Sequence, residues 1–103
     1  MNRLDYIIKK EGYWVYGIKK IPVHILEISV DYNLEYRKFE FEDTSNDQPR
    51  LNKEGKQYII TYGNISDLSD NPFFSECSLN FGGLTIQEAL ETSQELWNPI
   101  RWK

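Results

Sequence analysis

The chain offers one histidine, one cysteine and sixteen carboxylates as its chemical inventory. His24 is the residue type for a general base or a metal ligand. It lies in phase with Leu26, Ile28 and Val30, so the simpler reading is a ring at the rim of the core. Cys77 could serve as a nucleophile, but it alternates with Leu79 and Phe81. That pattern buries it, and buried thiols are inert. One His and one Cys cannot supply a sulfur and nitrogen zinc site within one chain. Paired acids can act as general acid and base, and Asp67 with Asp70, or Glu88 with Glu91, are the available pairs. Nothing in their spacing sets two of them across a cleft. Asp67-Leu68-Ser69-Asp70 lacks the glycine and later glutamate of a calcium loop. Gly82-Gly83-Leu84-Thr85 leads into a helix but lacks a phosphate-loop lysine. The expectation is a protein that is not an enzyme and uses no metal or cofactor.

Charge placement points instead to a partner. Between Lys56 and Arg101 there is no lysine or arginine, while that stretch holds Asp67, Asp70, Glu76, Glu88, Glu91 and Glu95. Residues 1–56 carry ten acids and ten bases, so the net charge of −4 belongs to the second half. A one-signed surface attracts partners of opposite sign. Glu88, Glu91 and Glu95 recur at spacings of three and four, with no lysine four residues on to relieve them. Glu88 suits a helix start, whereas Glu95 near the end opposes the helix dipole. The expected partner-binding set is Asp67, Asp70, Glu88, Glu91 and Glu95, with Asp43 and Asp47 as outer members. The same negative charge argues against a phosphate backbone as ligand. A second reading uses the rings: Tyr13, Trp14, Tyr16 and Trp97 would line a ligand pocket, and the first three could instead form a homodimer contact.

These residues need a scaffold, and 103 residues suffice for one domain with its own core. Aromatic content of 15 % supplies much apolar area per residue. No apolar run is long enough to span a bilayer. With no secretion signal at Met1-Asn2-Arg3, a cytoplasmic location is expected, and the Asn64-Ile65-Ser66 sequon is discounted.

The apolar periodicity reads as strands at 4–9, 13–18 and 23–30, with turns at 10–12 and 31–33 and a break at Ile21-Pro22. Residues 34–42 read as a strand with a fault, because Leu34 and Tyr36 point one way and Phe39 and Phe41 the other. A bulge near Arg37-Lys38 would reconcile them. A polar loop follows over 43–56, a strand over 57–63, and a loop over 64–75 anchored by Phe73 and Phe74. Residues 76–81 alternate with Cys77, Leu79 and Phe81 inside, and Gly82-Gly83 closes that strand. Thr85-Ile86-Gln87-Glu88 is a capping box. Beyond it Ile86, Ala89, Leu90, Ser93, Leu96 and Trp97 share a helical face until Pro99, and Ile100–Trp102 reads as a last strand. The fold expected is α+β: an antiparallel β-sheet of five to seven strands with one C-terminal amphipathic α-helix packed on it.

From Gly83 to Lys103 the chain resembles the ending of bacterial toxin-immunity proteins. In those families a strand leads to a short helix and then to Pro-x-x-Trp in a closing strand. Ile86, Glu88, Ala89, Leu90, Pro99 and Trp102 occupy the matching places, although the usual proline near the helix start is missing. The resemblance implies a small cytoplasmic protein that binds and blocks a toxin domain, often a basic nuclease. It implies no catalytic residues.

Overall fold

A computed structural model describes residues 1–103. The chain forms one antiparallel sheet of five strands and two helices. In chain order these are β1 (Ile7–Tyr16), β2 (Lys19–Ile28), α1 (Tyr32–Phe39), β3 (Gln57–Tyr62), β4 (Ser78–Gly83), α2 (Ile86–Leu96) and β5 (Ile100–Trp102). The sheet order is β4-β3-β2-β1-β5. No helix is long and apolar enough to cross a membrane.

β1 and β2 form a hairpin closed by Gly17-Ile18. Gly17 has φ +62° at the first central position, as such a two-residue turn requires. The expected break at residues 10–12 is a register shift between Ile8 and Lys10 inside one continuous strand. Gly12, further along, lies close against β5: a Cβ there would lie 2.6 Å from the Arg101 carbonyl and 2.8 Å from the Trp102 ring. Its hydrogen lets β5 dock on β1. Pro22, expected to interrupt the strand, is paired with Tyr13 inside β2. Its carbonyl accepts from the Gly63 amide. Residues paired in this way exchange both bonds, so the missing Pro22 donor forgoes only the return bond to the Gly63 carbonyl, one position past the end of β3.

The expected strand over 34–42 is α1. Its alternation fails because only Leu34 is buried, while Tyr36, Phe39 and Phe41 are all exposed. Asp31, expected in a turn, is the N-cap and accepts from the Leu34 amide at 3.3 Å. Glu35 in the first turn and Arg37 and Lys38 in the last suit the helix dipole. The single C-terminal helix expected is therefore one of two.

The sheet is apolar on both faces. Val23, Ile25, Tyr58 and Ile60 face α2, where Ala89 and Ile100 complete a core rimmed by Trp14, Tyr62, Trp97 and Trp102. Leu26, Ile28 and Ile59 face the other way, where Leu4, Leu68 and Cys77 cover them. That cover is loop, not helix. α2 follows the sequence reading closely. The Glu88 amide donates to Thr85 Oγ1 at 3.1 Å, and Glu88 Oε2 accepts from the Leu84 amide at 3.4 Å. Ala89 and Ser93 are buried, whereas Leu96 is exposed. β4 runs two residues further than expected, because Gly82 and Gly83 stay in the sheet under α2.

Candidate functional site

The acidic residues do not meet on one surface. Leu68 belongs to the loop-covered core and α2 to the opposite one. Asp67 and Asp70 thus lie on one side of the sheet, and Glu88, Glu91 and Glu95 on the other. Asp43 and Asp47 follow α1. Their charges are also engaged differently. Asp70 pairs with Arg3 Nη1 at 2.6 Å, and Asp47 with Arg37 Nη2 at 2.9 Å. Basic residues from the N-terminal half thus reach both. Exposed pairs of this kind contribute little stability, but they cancel local charge. Asp67 accepts from Ser75 Oγ at 2.7 Å and from the Glu76 amide, which ties its own loop. Asp43 accepts from the Ser45 amide, and that hydrogen bond holds its carboxyl below the usual range.

The α2 carboxylates differ from these. Glu88, Glu91 and Glu95 are exposed and none takes part in an ion pair. Glu88 is half committed to the capping box, and Glu91 accepts from Gln87 Nε2 at 3.1 Å. The helix has no basic residue in its last turn. Its position is held from beneath by the close approach to Gly82.

His24 and Cys77 have structural surroundings. Burial lowers the His24 pKa, against the opposing pull of Glu11, whose Oε1 lies 3.7 Å from Nε2; Lys103 lowers it further. The ion-pair distance alone would favour a charged ring, but desolvation outweighs it. His24 Nδ1 and Thr61 Oγ1, cross-strand neighbours, are both buried without a hydrogen-bond partner. Burial pushes the Cys77 thiol up, and Ser75 Oγ lies 3.2 Å from its sulfur. A protonated, buried thiol is a poor nucleophile. No group of three or more His, Cys, Asp or Glu side chains could hold a metal ion.

Of the four rings read as a pocket, Tyr13, Trp14 and Trp97 are half-buried and Tyr16 is exposed. Trp14 contacts Tyr16 and Tyr62 with centroids 5.3 and 5.5 Å apart. Tyr62 stacks on Trp97 at 5.2 Å, and Tyr13 lies beneath Lys103 Nζ. None of Tyr13, Trp14, Tyr16 or Trp97 lines the cleft that the molecule does possess.

That cleft, of 660 Å³, opens on the face of the sheet opposite α2. Its floor is Ile59, Cys77, Leu79 and Phe81, and its far wall is α1 with Pro72 and Phe73. α1 is held away from the floor by contacts to the loop. Tyr32 Oη donates to the Pro72 carbonyl at 2.5 Å, and burial raises its pKa to about 12. Tyr32, Tyr36 and Phe39 pack on Phe73 with centroids 4.7 to 5.7 Å apart. At the near rim the Arg50 guanidinium carbon lies over Phe81, 4.1 Å from the ring centroid. The Arg50 backbone is pinned on both sides: its amide donates to Asp31 Oδ2 at 2.9 Å, and its carbonyl accepts from Gln57 Nε2 at 3.0 Å. Asp31 and Gln57 are themselves buried. Arg50, Phe81, Tyr36 and Phe73 escape sequence reasoning as a group. Arg50 sits in a stretch that is polar throughout, and only the distant Asp31 and Gln57 fix its place. The one local signal is Asp31 followed by Glu35 and then Arg37-Lys38, the signature of a short helix.

No family model matches this sequence, and comparison with curated proteins and with solved structures found no match.

Proposed function

We propose that this protein is a non-enzymatic, cytoplasmic inhibitor of the bacterial toxin-immunity type, which docks a basic partner domain through α2. The observation that supports this reading is the trio Glu88, Glu91 and Glu95, exposed on one helix with no cation opposite any of them. Like charges at these spacings repel. Glu95 also faces the negative helix end. A basic surface laid along α2 would relieve both strains, and the local potential would speed its approach. Asp67, Asp70, Asp43 and Asp47 contribute less, since each is paired or hydrogen-bonded within the protein.

The test takes the product of the gene directly upstream as the partner, and a product that is not basic would count against this reading. Association is measured by stopped flow at low and physiological salt, for the wild type and for E91K/E95K. Glu88 is left in place because it caps the helix. The double reversal should slow association by about ten-fold at low salt and remove most of its salt dependence. An unchanged rate and salt dependence would refute docking by α2. Absence of any complex would refute the immunity reading itself.

A further inference from the structure

We propose that the cleft between α1 and the β3–β4 face is a binding site for a small molecule that carries a carboxylate or phosphate beside an aromatic ring. This site is separate from the α2 surface and does not rest on that reading, since the two lie on opposite faces of the sheet.

An antiparallel sheet face is ordinarily polar where it meets water and covered where it is apolar. Here the floor is apolar, and the helix that would cover it stands aside on Pro72 and Phe73. The gap of 660 Å³ falls within the range of small-molecule sites. Tyr36 and Phe73 on the far wall present rings to an occupant, and Phe81 in the floor, with Arg50 over it, adds apolar area. A flat ring gains most from such surroundings.

Arg50 sets the charge of the occupant. Its guanidinium forms neither an ion pair nor a hydrogen bond within the protein. The two carboxylates that line the cleft are both committed: Asp31 to the Leu34 and Arg50 amides, and Asp47 to Arg37. Asp31 keeps its charge, but neither it nor Asp47 forms an ion pair with Arg50, so the Arg50 guanidinium stays free at the rim to pair with an anion. Its planar fork matches a carboxylate or phosphate, while Phe81 and the pinned backbone limit its freedom. Two buried polar side chains, Asp31 and Gln57, fix that backbone. This preorganisation lowers the entropic cost of binding.

The experiment titrates two anionic probes into the isotope-labelled full chain: indole-3-carboxylate for the carboxylate arm and adenosine 5′-monophosphate for the phosphate arm. Indole and adenosine are the uncharged controls. Nuclear magnetic resonance follows the Arg50 side-chain N–H and the amides of Asn80 and Phe81. At least one anionic probe should give saturable shifts at these positions and bind about ten-fold more tightly than its uncharged counterpart. R50Q should abolish that difference, with the remaining amide spectrum reporting an intact fold. R50K, which keeps charge but not the fork, should fall between the two. Which arm saturates distinguishes the two anion classes. The proposal is overturned if neither probe saturates, if shifts fall outside the cleft, or if R50Q binds the anionic probe as the wild type does.

Discussion

Replacing Gly82 by alanine tests how α2 is seated on the sheet. A Cβ at this position would lie 2.9 Å from the Ala89 Cβ, 2.9 Å from the Tyr58 carbonyl oxygen and 3.2 Å from Ile60 Cγ1. Ordinary contact begins at 3.4 Å, so the helix must move by about half an ångström. Neither nearest neighbour can rotate away, because one is backbone and the other is a methyl fixed to the helix. Such overpacking costs about 1–3 kcal/mol. The gain from a less flexible unfolded chain, about 0.4–1 kcal/mol, offsets part of it. The expected net loss is about 1–2 kcal/mol, or a fall in melting temperature of roughly 4–15 °C for a domain of this size. Ala89→Gly alone should also destabilise, by about 1 kcal/mol for helix propensity. Combined, the two changes should cost less than their sum by about 0.5 kcal/mol or more, because one of the two hard contacts disappears. Urea unfolding followed by far-UV circular dichroism gives all four corners of the cycle. Additive effects, or a Gly82→Ala protein as stable as the wild type, would refute the close-approach argument. Either result would also mean that something other than this contact sets the height of the α2 carboxylates above the sheet.

Other outcomes follow from the same structure. Asp31→Ala removes the α1 N-cap and leaves the Arg50 amide without its acceptor; a loss of about 2–3 kcal/mol is expected, with faster hydrogen exchange at Leu34 and Arg50. Leu68→Ala empties a fully buried position in the loop-covered core; it should cost about 2–5 kcal/mol, and a loss under about 1 kcal/mol would mean that this loop is not firmly docked. His24 is kept neutral by burial, so the unfolded chain takes up its proton at a higher pH than the folded protein does. Its contribution is complete above the ordinary value of about 6.5 and is lost as pH falls from there through the lowered folded value. Urea midpoints between about pH 7 and pH 5.5 should therefore decline in the wild type and decline less in His24→Gln; equal slopes would exclude this role.

The amino-acid sequence by itself determined the elements whose signals are local. Thr85 and Glu88 cap α2 within four residues of each other, and Pro99 ends it, so no distant contact is needed to place that helix. β3 and β5 are legible for a similar reason: each is a short apolar run between clear turn or stop residues. α1 is not legible, because Leu34, Tyr36, Phe39 and Phe41 satisfy neither a two-fold nor a helical period cleanly. Only Leu34 of these is buried, and the exposed rings of Tyr36 and Phe39 are held by Phe73, far along the chain. Pro22 misleads for a converse reason. Its cost depends on where β3 ends, which only the register between strands reveals. Tertiary structure alone decided which charged and apolar surfaces form. Charge runs in sequence say nothing of which face a loop lies on, and here the sheet itself divides Asp67 and Asp70 from Glu88, Glu91 and Glu95. Arg3 and Arg37 then neutralise members that the sequence leaves bare. The Arg50 cleft depends on contacts to Asp31 and Gln57, and such long-range pairings leave no periodic trace in the chain.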